Sequence, residues 1–291
     1  MKYQTGGAFR RALEQRLRTQ SLQTGTPLVR LRKMVVFDRF LARLFRVQPD
    51  DWVVKGGLAL QLRLGDRART TKDIDMLALS PYHVILALRE AGSFDLGDWF
   101  SFEVAEPANT INSDMGGIRH SIQALLDGRS FEQFHIDVGI GDPVVDPIEY
   151  LHTPALLHFA DLETTRVPCY PITQQIAEKL HAYTRPHKTG ESSRVKDFID
   201  IILSADFGKI DGERLFKAIQ ATFSSRNTHA LLTTIPSPPS NWGQEFQRMA
   251  NEVGLANVSL DSAYRLLKEF LSPVLGNATA GSWDPARRTW C

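Results

Sequence analysis

Cysteine is scarce: Cys169 and Cys291 are the only two thiols in 291 residues. That excludes a disulfide framework and a cysteine-built zinc site, and it suits a reducing compartment. Long apolar runs are missing as well. Hydrophobic residues make up 43% of the chain, yet none of the runs approaches the roughly 20 residues a bilayer-crossing helix needs. The opening stretch MKYQTGGAFRRALEQRLR has no apolar signal core, so a cytoplasmic location with no membrane partner is expected. There is no internal repeat. What is present is ordinary globular composition, at a length that suits two domains with separate cores.

The net charge of +1 conceals a segregation. Residues 1–47 hold eleven Lys or Arg against only Glu14 and Asp38. Such a basic segment either meets nucleic-acid phosphates or presents a solvated helix face. Arg10, Arg11, Arg16 and Arg18 are its candidate RNA contacts.

Periodicity divides the chain further. Residues 8–19 and 28–46 read as helices, with Val35, Phe37, Phe40, Leu41, Leu44 and Phe45 as a core-facing stripe. From 48 to 153 strands and helices mix: WVVKGG, a helix over 58–64, the strand KDIDMLAL, the helix SPYHVILALREAG, then strands SFEVAE, HSIQALLD and FHIDVGIG. Residues 154–275 turn mostly helical. TQQIAEKLHAYT opens on a Thr cap, HKTGESS forms a polar loop, and RVKDFIDIILSA, GERLFKAIQATFSSR and SLDSAYRLLKEFLSP are further helices around a PSPPSN connector. Residues 276–291 read as a flexible tail. The expected class is α/β, a mixed sheet with flanking helices followed by a helical domain.

The chemistry concentrates in KGGLALQLRLGDRARTTKDIDMLAL, residues 55–79. Side chains at i and i+2 of a strand share a face, so Asp73 and Asp75 project together. Two unpaired carboxylates there repel, and a divalent cation bound by oxygen ligands relieves both. Gly56 and Gly57 permit close backbone approach to a phosphate, and the following helix offers free amides. Asp137 lies mid-strand between Ile136 and Val138, where a charge requires a job or a partner. His135, on the same face, reads as structural. Lys179 sits off the Ile176, Leu180 and Tyr183 stripe, as a ligand or as a surface lysine. Asp197 and Asp200 share one face of a helix, where charges are usually solvated, and His181 reads as a boundary residue.

Three blocks, VVKGGLALQLRLGDRARTTKDIDML, QQIAEKLHAY and RVKDFIDIIL, resemble the AbiEii/AbiGii toxin-like nucleotidyltransferases. That family includes the mycobacterial MenT toxins and belongs to the DNA polymerase β-type superfamily. The resemblance covers roughly residues 50–205. It implies that Gly56 and Gly57 cradle phosphate, with Lys55 and Arg69 neutralising nearby charge. It further implies that Asp73, Asp75 and Asp137 bind catalytic Mg²⁺ (or Mn²⁺), that Lys179 steadies the nucleoside triphosphate, and that Asp197 is an essential carboxylate. Many relatives carry Ser or Thr where this chain has Leu58, so a hydroxyl contact to phosphate is missing. The implied reaction is in-line attack of a hydroxyl on the α-phosphorus of an NTP. The implied acceptor is RNA, the tRNA 3′ end above all, with blocked translation as the outcome and a cognate antitoxin as partner. Nucleotidylation of a protein or small-molecule hydroxyl, and a non-catalytic RNA-binding module, are the alternatives.

Overall fold

The helical periods at the start of the chain become two long helices in the computed structural model, which describes residues 1–80, 83–107, 117–186, 194–276 and 281–291. α1 (Gly6–Thr24) starts at Thr5, whose hydroxyl accepts from the Ala8 amide, and stops at Gly25 with φ of 73°, a left-handed conformation that costs glycine little. α2 (Leu28–Val47) follows Pro27. Phe9, Leu13 and Leu17 of α1 and Val36, Phe37, Phe40 and Leu41 of α2 are buried in one core.

That core lies against a seven-stranded sheet of order β3-β4-β5-β2-β1-β7-β6. In chain order the elements are β1 (Trp52–Lys55), α3 (Gly56–Leu64), β2 (Ile74–Ala78), α4 (Val84–Ser93), β3 (Phe100–Val104), β4 (Ile118–Leu126), β5 (Arg129–Ile140), β6 (Glu149–His152) and β7 (Arg166–Cys169). β2 runs parallel to β5 and β1 parallel to β7, while the other neighbours are antiparallel. On β5 the alternation is clean: Phe134, Ile136 and Val138 are buried, and His135 and Asp137 are not. Phe37 and Phe40 of α2 meet Phe134 edge-on at 5.2 and 5.8 Å, which fixes the helix on the apolar face. The opposite, polar face carries the carboxylates.

The chain forms two units: Met1–Arg63, Thr70–Gly141 and Glu149–Cys169 in the first, and Leu64–Arg69, Asp142–Ile148 and Tyr170–Cys291 in the second. This differs from the sequence-based division at 153/154. β6 and β7 were not visible as strands, yet they extend the sheet, and Asp38 of α2 binds them to the core by accepting from the hydroxyls of Thr153 (2.6 Å) and Thr165 (2.7 Å). The segment 1–47 belongs to this unit too.

The second unit contains α5 (Ile172–Thr184), α6 (Val195–Ala205), β8 (Ile210–Asp211), α7 (Gly212–Arg226), α8 (Gly243–Glu252), α9 (Leu260–Leu275), β9 (Ser282–Asp284) and β10 (Thr289–Trp290). α5 begins at Pro171 without a side-chain cap. The expected Thr173 cap is overridden because its hydroxyl donates to Asp146 (2.6 Å). Over residues 281–291 the expected loose tail is likewise replaced by structure, since β9 pairs with β8 and β10 in a small sheet, while 277–280 lie outside the described residues. Trp283 is fully buried and its indole donates to the Ala205 carbonyl (2.7 Å). Aromatic burial of this size holds the strand that carries Trp283. The HKTGESS loop and Pro81 lie outside the described residues. Among the described residues no helix is long and apolar enough to cross a membrane.

Candidate active site

β1 delivers Lys55 and enters α3 through Gly56, whose φ is 61°. A Cβ added at Gly56 would run into the carboxylate of Asp75, so only glycine lets this turn lie against that side chain. The Gly57 amide points at Asp75 Oδ2 across a long 3.4 Å. The strand-to-helix turn therefore surrounds an anion with backbone, the geometry a helix N-terminus favours. Leu58 is buried in the core of the unit, so its side chain serves packing.

Asp75 and Asp137 are register partners on the parallel pair β2–β5, and the same alternation puts both on the polar face. Asp73 just precedes β2. Its Oδ1 is 3.1 Å from Nδ1 of His135, and its backbone carbonyl accepts from the Thr71 hydroxyl at 2.9 Å. Thus Lys55, Asp75 and Asp137 lie on adjoining strands, Gly56 and Gly57 at the turn into α3 and Asp73 just before β2, with His135 beside Asp73.

Sequence reasoning missed Arg119 altogether. Its Nε and Nη2 donate to the two oxygens of Asp137 at 2.7 and 2.6 Å, and Nη2 stands 3.7 Å from Asp73. The bond to Asp137, reinforced by the charges of Asp137, Asp73 and Asp75, outweighs the effect of burial and holds the guanidinium further above its ordinary pKa. Arg119 is 46% exposed even so. A signal was available in the Asp127-Gly128 dipeptide, which marks a two-residue hairpin turn. Simple counting from that turn pairs Arg119 with Ile136, on the wrong face. A bulge between Ala124 and Leu125 shifts the register by one and sets Arg119 opposite Asp137. Among the described residues no three His, Cys, Asp or Glu side chains converge as a ready metal-ligand set.

The other expected site residues lie in the second unit. Lys179 of α5 is paired with Asp197 (2.8 Å) and Asp200 (3.1 Å) of α6. Arg69 binds both oxygens of Asp200 at 3.0 Å. Burial opposes the Lys179 charge, but the two carboxylates overcome it and raise its pKa. Burial likewise opposes ionisation of Asp200, and Lys179 and Arg69 reverse the balance and lower it. These are not the solvated charges expected on α6, for Asp197 and every residue from there to Ala205 are buried. The exposed-face reading failed because α6 is enclosed from Asp197 onward, polar side included, with Lys196 exposed in its first turn. His181 is also buried, with Nε2 2.9 Å from the Thr228 hydroxyl. Burial, then the charges of Arg226, His229, Arg185 and Arg194, push its pKa down to about 3.

The basic segment has several internal uses. Arg10 donates to the carbonyls of Leu126, Arg129 and Ser130, which close the β4–β5 turn. Arg16 stacks over Phe159 at 4.6 Å. Arg43 is fully buried on Asp98, and Arg32 and Lys33 pair with Glu14 and Glu132. Arg11, Arg16 and Arg18 are exposed.

A mixed sheet with acidic residues on adjoining strands beside a Gly-Gly strand-to-helix turn is the architecture of a nucleotidyltransferase. The profile of the family described as "Nucleotidyl transferase AbiEii toxin, Type IV TA system" matches residues 39–270, and the chain belongs to that family. Its fold is similar to that of MenT4, a nucleotidyltransferase toxin from Mycobacterium tuberculosis, with a TM-score of 0.58 at 18% identity over 91% of this chain and 98% of that one. JHP933 from Helicobacter pylori gives a TM-score of 0.40 at 14% identity, covering 82% of this chain and 88% of its own. An antigenic nucleotidyltransferase-like protein from Paracoccidioides brasiliensis gives 0.44 at 17% identity, covering 70% and 96%. A comparison with curated proteins returned no match.

Proposed function

We propose that this protein transfers a nucleoside monophosphate from an NTP to an RNA hydroxyl, with the 3′ end of tRNA as acceptor, and that it acts as a toxin held in check by a cognate antitoxin. The observation that carries the chemistry is the in-register pair Asp75 and Asp137, with Asp73 beside them, on a polar sheet face next to the Gly56 turn. Their donor chemistry fits a divalent cation. All three offer hard oxygen ligands, and the turn at Gly56 leaves Asp75 room that any larger residue would fill. Asp73 and Asp75 would hold Mg²⁺ or Mn²⁺, with Asp137 added once Arg119 releases it. When bound, the ion supplies neutralisation of charge on the transferring phosphoryl group.

The chain's own residues supply the remainder. The Gly56–Gly57 backbone and Lys55 orient phosphate, and fixed geometry replaces the entropy of bringing nucleotide and hydroxyl together. Asp137 is the candidate to accept the acceptor's proton, provided its bond to Arg119 opens. The family-implied nucleotide roles of Lys179, Asp197 and Arg69 are proposals as well. NTP titration of Lys179→Ala, in preparations verified as folded, tests the first of these.

The deciding experiment incubates the protein with each labelled NTP and total tRNA. Label on tRNA supports the reading, and label on the protein itself or on small molecules redirects it. The internal uses of Arg10, Arg32, Lys33 and Arg43 favour one second reading, a protein or small-molecule hydroxyl as acceptor, because they shrink the cationic surface available to RNA.

A further inference from the structure

On the polar face of the first unit, Arg119 binds the proposed catalytic carboxylate Asp137 through both oxygens while its own side chain is 46% exposed. Arg43, by contrast, binds Asp98 in the same two-pronged way but is fully buried and also donates to the carbonyls of Phe94, Arg39 and Phe100. Arg43 cannot leave without stranding several groups. Arg119 has Asp137, a flank of Asp73, and solvent.

We propose that Arg119 couples divalent-metal uptake to nucleotide binding: it holds Asp137 while the site is empty and passes to the polyphosphate when a metal–nucleotide complex arrives. This rests on the reading of Asp73 and Asp75 as metal ligands. Three carboxylates on adjoining strands repel one another, and a guanidinium 2.6 Å from Asp137 and 3.7 Å from Asp73 relieves that repulsion. A metal ion arriving alone meets a like charge and loses one ligand to it. A metal that arrives with a triphosphate brings compensating anions. The guanidinium then exchanges one bidentate oxyanion partner for another, since its planar fork matches carboxylate and phosphate alike. Lysine, a point charge, performs that exchange less well.

The test is Mn²⁺ titration of the full chain by electron paramagnetic resonance. It is run with and without an NTP analogue carrying a non-hydrolysable α,β bridge, and corrected for Mn²⁺ bound by the analogue alone. For the wild type, the analogue should tighten Mn²⁺ binding about tenfold or more, an ordinary coupling between two ligands. Arg119→Gln should bind Mn²⁺ alone about tenfold tighter than wild type and lose most of the tightening by analogue, with Arg119→Lys between the two. A circular-dichroism melt matching wild type verifies the fold of each variant. The proposal is overturned if Arg119→Gln binds Mn²⁺ alone no tighter than wild type, or keeps the full coupling. Asp75→Asn separates the two levels of failure. Unchanged Mn²⁺ affinity in that variant removes the metal reading itself, and the role of Arg119 with it. Loss of Mn²⁺ binding in Asp75→Asn beside an unaltered Arg119→Gln removes only the role assigned to Arg119.

Discussion

Two charge clusters in this protein use the same residue types to opposite ends. On the polar sheet face, Arg119 serves Asp137 and Asp73 in a setting half open to solvent. In the helical unit, Lys179 and Arg69 serve Asp197 and Asp200, with the Asp200 side chain only 1% exposed. A buried ion pair is bound by necessity, because each charge left alone in a low-dielectric setting is expensive. An exposed pair is worth little, so its partners can part when a better ligand comes. Exposure separates a cluster that stabilises from one that is available for chemistry.

The largest expected effect lies at the open cluster and is catalytic. Asp73→Ala or Asp75→Ala should lower nucleotide transfer by at least about 10²–10³-fold, as when a group that stabilises developing charge is removed. Removing either carboxylate also relieves repulsion, so thermal midpoints should hold or rise. If both variants label acceptor at the wild-type rate, the carboxylate face is not the site.

At the closed cluster the largest effect is on stability. Lys179→Ala takes one partner from each of two buried carboxylates, leaving Asp200 on Arg69 and Asp197 near Arg194, and should cost about 3 kcal/mol in urea unfolding. Arg119→Gln, by contrast, should change stability by no more than about 1 kcal/mol. Similar losses in the two variants would erase the distinction between the clusters. The comparison also sets a condition on kinetics: reduced turnover in Lys179→Ala counts toward nucleotide binding only in the fraction that remains folded.

A pH scan probes the closed unit independently. His181 and His229 stand 4.7 Å apart, both have lowered pKa values caused first by burial, and Arg226, Arg185 and Arg194 add positive charge around His181. Neutral rings are favoured in the folded state, while unfolded histidines take up protons near pH 6.5. The unfolded state therefore binds more protons below that pH, and stability present above it is lost as pH falls toward 3. Between pH 6.5 and 5 the loss from His181 alone should be about 2 kcal/mol. His181→Gln, about the size of the ring and without its titration, should flatten the curve. An unchanged slope would place the acid sensitivity elsewhere.

The difference between the clusters also explains what could be read from the chain. Asp73, Asp75, Gly56 and Gly57 were legible because strand alternation and glycine geometry are local rules, and the structure places them on one face around one turn. Most helices were legible for the same reason, and GERLFKAIQATFSSR matches α7 to the residue, but α8 behind the PSPPSN connector was not read. Arg119 was not, because a single register shift decides whether it stands opposite Ile136 or Asp137. The burial of Asp197 and Asp200 depends on what encloses α6, which no helical period reveals. β6, β7 and the Trp283 strand are too short for periodicity, and β1 and β8, which join β7 and the Trp283 strand to their sheets, lie far away in sequence. Local rules located the open cluster, whereas the closed cluster and the sheet edge depend on tertiary context.

The smallest expected effect concerns RNA, and the structure sharpens it. Four arginines were candidate phosphate ligands, but Arg10 closes the β4–β5 turn and Arg16 stacks on Phe159. Replacing those two tests folding as much as binding. Arg11 and Arg18 are exposed on α1, so they carry the question more cleanly. If they track RNA phosphates, Arg11→Gln with Arg18→Gln should weaken tRNA binding about equally across sequences. The log–log salt slope should then fall by roughly 0.7–0.9 for each phosphate no longer neutralised. Gln keeps helix propensity, so α1 should persist and the thermal midpoint should stay put. NTP affinity should not change, because neither residue belongs to the carboxylate face. Arg10→Gln supplies the contrast: it removes donors from three turn carbonyls, so it should lower the thermal midpoint. A salt slope identical to wild type in the double variant would free α1 of any RNA role and give weight to a smaller acceptor.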